Sequence, residues 1–356
     1  MQDIEILGNV EKGIDFIKKI EKKNFLFSFI ISYTETCEIP GITVAGAKPD
    51  FVKFTAPADA EFLHYGFCKC IDIIPMTPDG KPTPAILTKV ALEAANIPII
   101  VINAGSKVSP KLPYLETGLN PGKNIAVEPG LDHNSVTRAI EYGRIIGRCL
   151  GSSTDCLVIG ESIPGGTTTA LGVLKGLNIN AKVSSSMVSN PTNLKNNVVD
   201  AALKRLDSLD PFAVVANAGD PMIPTVSGIL SSASECTNVI LAGGTQMAAV
   251  LAFSKSISFN ESNTAVGTTS YIVHDETANF VETVKQISDV PILVAKLKLG
   301  ESKIQGLRSY NEGFVKEGAG AGGMSIASIL KAGLDSTKLL LLAEKEYERI
   351  TSLSQT

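Results

Sequence analysis

Short apolar runs recur along the chain: NFLFSFIISY (24–33), IPIIVINAG (97–105), DCLVIG (155–160), TNVILAGG (237–244) and VPILVAKL (290–297). Runs of this kind have no polar side to offer water, so they predict strands buried on both faces of a sheet. Segments with helical spacing lie between them, among them TPAILTKVALEAAN (83–96), DHNSVTRAIEYGRIIGRCLG (132–151), GTTTALGVLKGL (166–177), TNLKNNVVDAALKRL (192–206) and TQMAAVLAFSK (245–255). Strand alternating with helix predicts an α/β fold, a Rossmann-like doubly wound and mainly parallel sheet with right-handed crossovers. CIDIIPM (70–76) and TSYIVHD (269–275) read as further strands, and DPFAVVANAGDPMIPTVSGILSSASEC (210–236) and ANFVETVKQIS (278–288) as helical.

The ends of the chain differ. NVEKGIDFIKKIEKK (9–23) has the spacing of a helix, and no clear strand follows Glu301. The expectation is a large nucleotide-binding domain over 24–300 and a small helical subdomain from 1–23 and 301–356. The stretch from Thr34 to Gly66 is rich in Pro and Gly and reads as a long loop, a length that often serves function.

The net charge of −4 and pI near 5.6 give a polyanion nothing to bind, which excludes nucleic acid as a partner. Six cysteines without a C-x-x-C pair fit a reducing compartment. Cys68 and Cys70 read as small apolar residues of a strand rather than as metal ligands. No signal-peptide core and no run of membrane-spanning length is seen, so a cytoplasmic protein without a membrane partner is expected.

In open α/β sheets ligands bind beyond the carboxyl ends of the strands. Three Gly-rich turns fall there: NAGSK (103–107), GESIPGGTTT (160–169) and AGGTQ (242–246). The middle one has the glycine spacing of a Walker A loop, but Gly166 stands where the lysine belongs. Glu161 inside the loop repels a triphosphate. Gly165 and Gly166 let backbone approach an anion, the helix N-terminus favours one, and Thr167 and Thr168 add hydroxyls. The loop therefore suits a single phosphate; the alternative is an ordinary strand–helix turn with threonine capping.

FVKEGAGAGG (314–323) is the second candidate. Glu317 there is a general base if burial raises its pKa, or simply a carboxylate favourable at a helix start. Lys195, in the first turn of a helix after the serine-rich VSSSMVSN (183–190), supplies the charge that the loop lacks, or is a solvated surface lysine. His274 lies where ligands meet such sheets; His64 and His133 have no evident partners.

In order and spacing these pieces resemble the nicotinate-nucleotide:dimethylbenzimidazole phosphoribosyltransferase family, in a divergent, archaeal-type branch. GESIPGGTTT stands where the family has Gly-Glu-Met-Gly-Ile-x-Asn-Thr-Thr, and NIAVEPGLDHNSVTRAIEYGRII (124–146) is similar to the segment before it. KEGAGAGG (316–323) resembles the box that carries the family's catalytic glutamate, which falls on Glu317. The resemblance covers residues 95 to 325. It implies a glycosyltransferase that moves phosphoribose from nicotinate mononucleotide to a benzimidazole-type (azole) base, in cobamide lower-ligand assembly; the alternatives are the same fold with a different acceptor base, or a non-catalytic nucleotide-binding accessory protein. It further implies no cofactor or metal and a homodimer. Glu317 would be catalytic, with Glu161, Gly165, Gly166, Thr167, Thr168, Lys195 and Gly318 binding substrate. The sequence departs from the pattern at the serine-rich loop, at Gly166, at Met222 (a family Glu) and at Ala242 (a family Asp). These departures and the unaligned N-terminal region put the acceptor base in question more than the donor.

Overall fold

The computed structural model describes residues 2–46, 49–72 and 81–353, and the apolar runs within them join one eight-stranded sheet. The strands are β1 (Ile4–Leu7), β2 (Phe25–Ile31), β3 (Ile99–Asn103), β4 (Leu115–Glu116), β5 (Cys156–Ser162), β6 (Asn238–Ala242), β7 (Thr264–Thr269) and β8 (Ile292–Ala295). Their order is β1-β8-β7-β6-β5-β2-β3-β4, and every pair is parallel except β1 with β8. The helices are α1 (Val10–Ile20), α2 (Thr55–Tyr65), α3 (Ala85–Ala95), α4 (His133–Gly151), α5 (Gly166–Gly176), α6 (Thr192–Leu203), α7 (Pro211–Ala218), α8 (Met222–Cys236), α9 (Thr245–Ser254), α10 (Ser270–Val273), α11 (Phe280–Ile287), α12 (Gln305–Arg308), α13 (Ala321–Ala332) and α14 (Ser336–Leu353).

Alternation along the strands sends side chains into two cores. Phe25, Phe27, Phe29, Cys156 and Val158 join the core under α1, α2, α3, α13 and α14. Ile30, Leu157, Ile159, Val239 and Leu241 join the core under α4, α5, α8, α9 and α11. This is the doubly wound arrangement. From β2 the chain winds outward to β3 and β4, then returns to β5 on the other side of β2 and continues through β6, β7 and β8. The winding reverses between β2 and β5, which pair in register with Phe27 beside Val158. A crevice at their carboxyl ends follows from that reversal.

The two chain ends meet: Lys22 N–H donates to the Leu330 carbonyl (3.0 Å) and Ser336 to Asp3 (2.5 Å). They also join the sheet, because β1 pairs with β8 and α13 lies across β6, β7 and β8.

Three local expectations are corrected. The stretch from Thr34 to Gly66 is not one loop: it holds α2 and two short 3-10 turns. Ala56 to Leu63 are all buried, so α2 has no polar face and no amphipathic period to read. Cys68 and Cys70 do not lie in a strand. They follow α2 in a bend whose Lys69 and Cys70 amides donate to Glu61 (2.5 and 2.7 Å). Residues 73–76 of that expected strand lie outside the described residues. Finally, β7 ends at Thr269, and Tyr271, Ile272 and Val273 form the single turn α10. That turn sends Tyr271 toward one core and Ile272 into the other, which a strand's alternation over so few residues also mimics.

Candidate active site

β5 delivers Glu161 and Ser162 to the crevice, and Ile163 to Gly165 turn the chain into α5. Gly165 has φ +77°, a left-handed conformation that favours glycine. A Cβ there would lie 2.9 Å from the Cys37 Cβ and 3.0 Å from its Cα, so the segment after β2 packs directly on this loop. Thr169 donates to Asp220 (2.5 Å), whose other oxygen accepts from the Met222 amide at the start of α8 (3.0 Å). The loop is thus anchored below by a buried carboxylate.

Glu317 is held at the rim opposite. Its Oε2 accepts from the Thr269 amide (3.0 Å) and its Oε1 from the amides of Gly318 (3.1 Å) and Gly322 (3.2 Å). The backbone that presents it is strained: Val315, Lys316 and Ala319 have φ of 62°, 50° and 51°. Each such residue costs about 1–3 kcal/mol and persists only where its surroundings enforce it. Here Val315 N–H donates to the Ser186 carbonyl (3.0 Å), and the Lys316 carbonyl accepts from Thr269 (2.6 Å). The Lys316 ammonium pairs with Asp275 (2.8 Å), to which Ser184 also donates (2.5 Å). The serine-rich loop and the glutamate segment therefore share one buried network.

Two adjoining pockets meet at Glu161, Thr167, Glu317 and Gly318. The inner pocket lies between the N-termini of α5 and α9, with Ser184 to Ser186 on its wall. Two helix N-termini and a serine loop favour an anion there, beside the carboxyls of Glu161 and Glu317 that line the same pocket. The outer pocket has walls from Ile42, Val44, Pro82, Pro84 and Ile163, and Asp59 of α2 lines it.

The cleft carries an unusual concentration of carboxyls. Burial, reinforced by Asp220, Glu317 and Asp59, pushes Glu161 up to about 8. Burial raises Glu317 to about 7, against the pull of its amide donors. Burial also lifts Asp59 and Asp220 to about 6 each. Among the described residues no cluster of three or more His, Cys, Asp or Glu is arranged to hold a metal ion.

Of the residues expected at the site, the structure gathers Glu161, Gly165, Gly166, Thr167, Glu317 and Gly318 around the cleft. Thr168 and Lys195 stand behind it. Thr168 is fully buried, and its hydroxyl finds no partner among the described residues. Lys195 is not a solvated lysine: it is 1% exposed, and its ammonium donates to the Ser184 carbonyl (2.8 Å). Burial and the nearby Lys316 lower it to about 7. Sequence reasoning missed Asp59, Asp220, Asp275 and Lys316, each of which gains its place from a distant segment. His64 stacks edge-on against Tyr65, His133 lies near Phe212, and His274 faces a surface pocket with Gln2 and Asp335. Met222 is buried in the core, and Ala242 lies where α13 presses on β6.

A doubly wound sheet with two helix N-termini at its switch point and a half-buried carboxyl on the adjoining rim suits a nucleotide-handling transferase. Residues 86–303 match the family described as Phosphoribosyltransferase. The chain belongs to that family, the nicotinate-nucleotide:dimethylbenzimidazole phosphoribosyltransferases. It is 45% identical to a UPF0284 protein of Archaeoglobus fulgidus over 95% of this chain and 98% of the relative. It is 43% identical to a UPF0284 protein of Sulfurisphaera tokodaii over 93% and 95% of the two chains. The structure of CobT from Thermus thermophilus is similar in fold, with a TM-score of 0.58 and 16% identity, over 91% of this chain and 85% of that one. A nicotinate-nucleotide-dimethylbenzimidazole phosphoribosyltransferase structure from the same organism aligns with a TM-score of 0.57 and 17% identity, over 88% and 84%. No helix among the described residues is long and apolar enough to cross a membrane.

Proposed function

We propose that the protein transfers phosphoribose from nicotinate mononucleotide to a ring nitrogen of a heteroaromatic base. The observation that carries this reading is the position of Glu317, at the junction of the anion subsite and an apolar-walled pocket. In this scheme the donor's phosphate lies between α5 and α9, against Thr167 and the serine loop, with Gly165 and Gly166 beside it on the outer-pocket side. Lys195 adds its charge from behind that loop. The acceptor nitrogen attacks the anomeric carbon, the bond to the nicotinate nitrogen breaks, and its electron pair leaves with nicotinate. Glu317 accepts the proton released from the acceptor N–H. Holding nitrogen and carbon in line supplies much of the rate. The product would be the lower-ligand nucleotide of a cobamide. The family resemblance also supports a homodimer, which light scattering tests.

The test is incubation with nicotinate mononucleotide and a panel of azoles, following nicotinate release, with a crystal soaked in the donor alone. Base-dependent release with phosphate at Gly165 to Thr167 is expected. A phosphate bound elsewhere would overturn the reading.

A further inference from the structure

The outer pocket contains a carboxyl that the transfer scheme leaves unused. Asp59 is 4% exposed, yet it lines the cleft. Thr83 donates to its Oδ1 (2.8 Å) and Ser162 to its Oδ2 (2.8 Å). Those hydroxyls fix the plane of the carboxylate, and each oxygen keeps a second lone pair. Asp59, Glu161 and Glu317 make no ion pair with any described residue. Burying Asp59 and Glu161 beside the half-buried Glu317 is costly, and a ligand rich in N–H donors offsets part of that cost.

The two pockets divide the work. The inner pocket takes the start of α9 and Ser184, the start of α5 with Ser185 and Ser186 borders both, and Asp59 borders only the outer one, beside Lys81, Thr83, prolines and aliphatic side chains. Such walls fit the faces of a planar ring and leave its edge to the polar groups. Ribose and phosphate belong to the inner side, so the ring beside Asp59 is the acceptor's. Glu161, raised by burial to about 8, lines the same pocket.

We propose that Asp59, oriented by Thr83 and Ser162, reads the edge of the acceptor and selects a nitrogen heterocycle bearing a second hydrogen-bond donor, such as an exocyclic amino group. A dimethylated ring edge leaves that carboxyl unpartnered and is disfavoured. The proposal rests on the transfer reading above, and the experiment separates the two.

Adenine and purine share one ring and differ in the exocyclic amino group, as do 5-aminobenzimidazole and benzimidazole. With wild type, kcat/KM for the amino member of each pair should be at least about 10-fold higher, because a buried acceptor left unpaired penalises the analogue. Asp59→Asn should bring each pair within about 2-fold and leave KM for nicotinate mononucleotide unchanged. Thr83→Val, a milder change, should narrow the preference in part. A wild type that uses the unsubstituted rings equally well overturns the proposal. So does an Asp59→Asn enzyme with raised donor KM and intact acceptor preference, which would place Asp59 at the ribose. Should wild type release no nicotinate with any base, the transfer reading falls. Calorimetric binding of adenine against purine then decides Asp59 alone: a preference lost in Asp59→Asn supports it, and equal binding to wild type overturns it.

Discussion

Lys316 and Asp275 form an ion pair, Nζ 2.8 Å from Oδ2, with both side chains buried and Glu317 the next residue along the chain. Burial pushes Asp275 up, but donors from Lys316, Ser184 and Thr277 together hold it below the usual carboxylate range. The pair ties α10's trailing loop to the strained segment that presents Glu317. Removing one partner leaves the other charged and buried, so Asp275→Ala should cost about 3–5 kcal/mol in urea unfolding. Lys316→Met should cost a similar amount, and the double variant less than the sum. Losses that simply add would show that the two side chains do not act together.

Glu317 accepts a proton only as a carboxylate. Its pKa near 7 makes the active form appear as pH rises through about 7, so base-dependent nicotinate release should climb over that interval. Glu317→Gln should lower kcat by about 10²- to 10⁴-fold while donor affinity holds. An unchanged pH profile in wild type below 7, or full turnover in the variant, would remove Glu317 from the proton transfer.

What the sequence made legible was local. GESIPGGTTT and KEGAGAGG each carry their chemistry within ten residues, so Glu161, Gly165 and Glu317 stood out before any fold was known. β2, β3, β5, β6 and β8 were legible because they are apolar on both faces. α2 was not, because a helix buried all round has no period, and Asp59 was lost with it. β1 has only four residues and gains its order by pairing with β8 from the far end of the chain. Lys316 and Asp275 lie 41 residues apart, and no spacing rule links them.

Glu161 carries a pH signature in stability. Its folded pKa is about 8 against an ordinary value of 4.5. A raised folded pKa means that its contribution is fully present below about 4.5 and is lost as pH rises through 8. The loss is on the order of a few kcal/mol. Glu161→Gln removes the ionisation and relieves Asp59, Asp220 and Glu317 of a neighbouring charge. Relative to wild type, the variant should therefore gain stability between pH 5.5 and 8.5, by urea unfolding at the two values. A stability difference that is flat with pH would mean that Glu161 is not buried as described.

Gly165 and Gly118 separate backbone strain from crowding. Both have positive φ, +77° and +65°, but a Cβ on Gly118 meets nothing within 4 Å, whereas one on Gly165 meets Cys37 at 2.9 to 3.1 Å. Gly118→Ala should cost only the left-handed backbone term, about 1–2 kcal/mol. Gly165→Ala adds the displacement of Cys37, for about 2–4 kcal/mol in total. It also moves the mouth of the anion subsite, so KM for nicotinate mononucleotide should rise in Gly165→Ala and stay unchanged in Gly118→Ala. Equal costs for the two substitutions would show that the segment around Cys37 yields freely. An unchanged donor KM in Gly165→Ala would separate the loop from the phosphate.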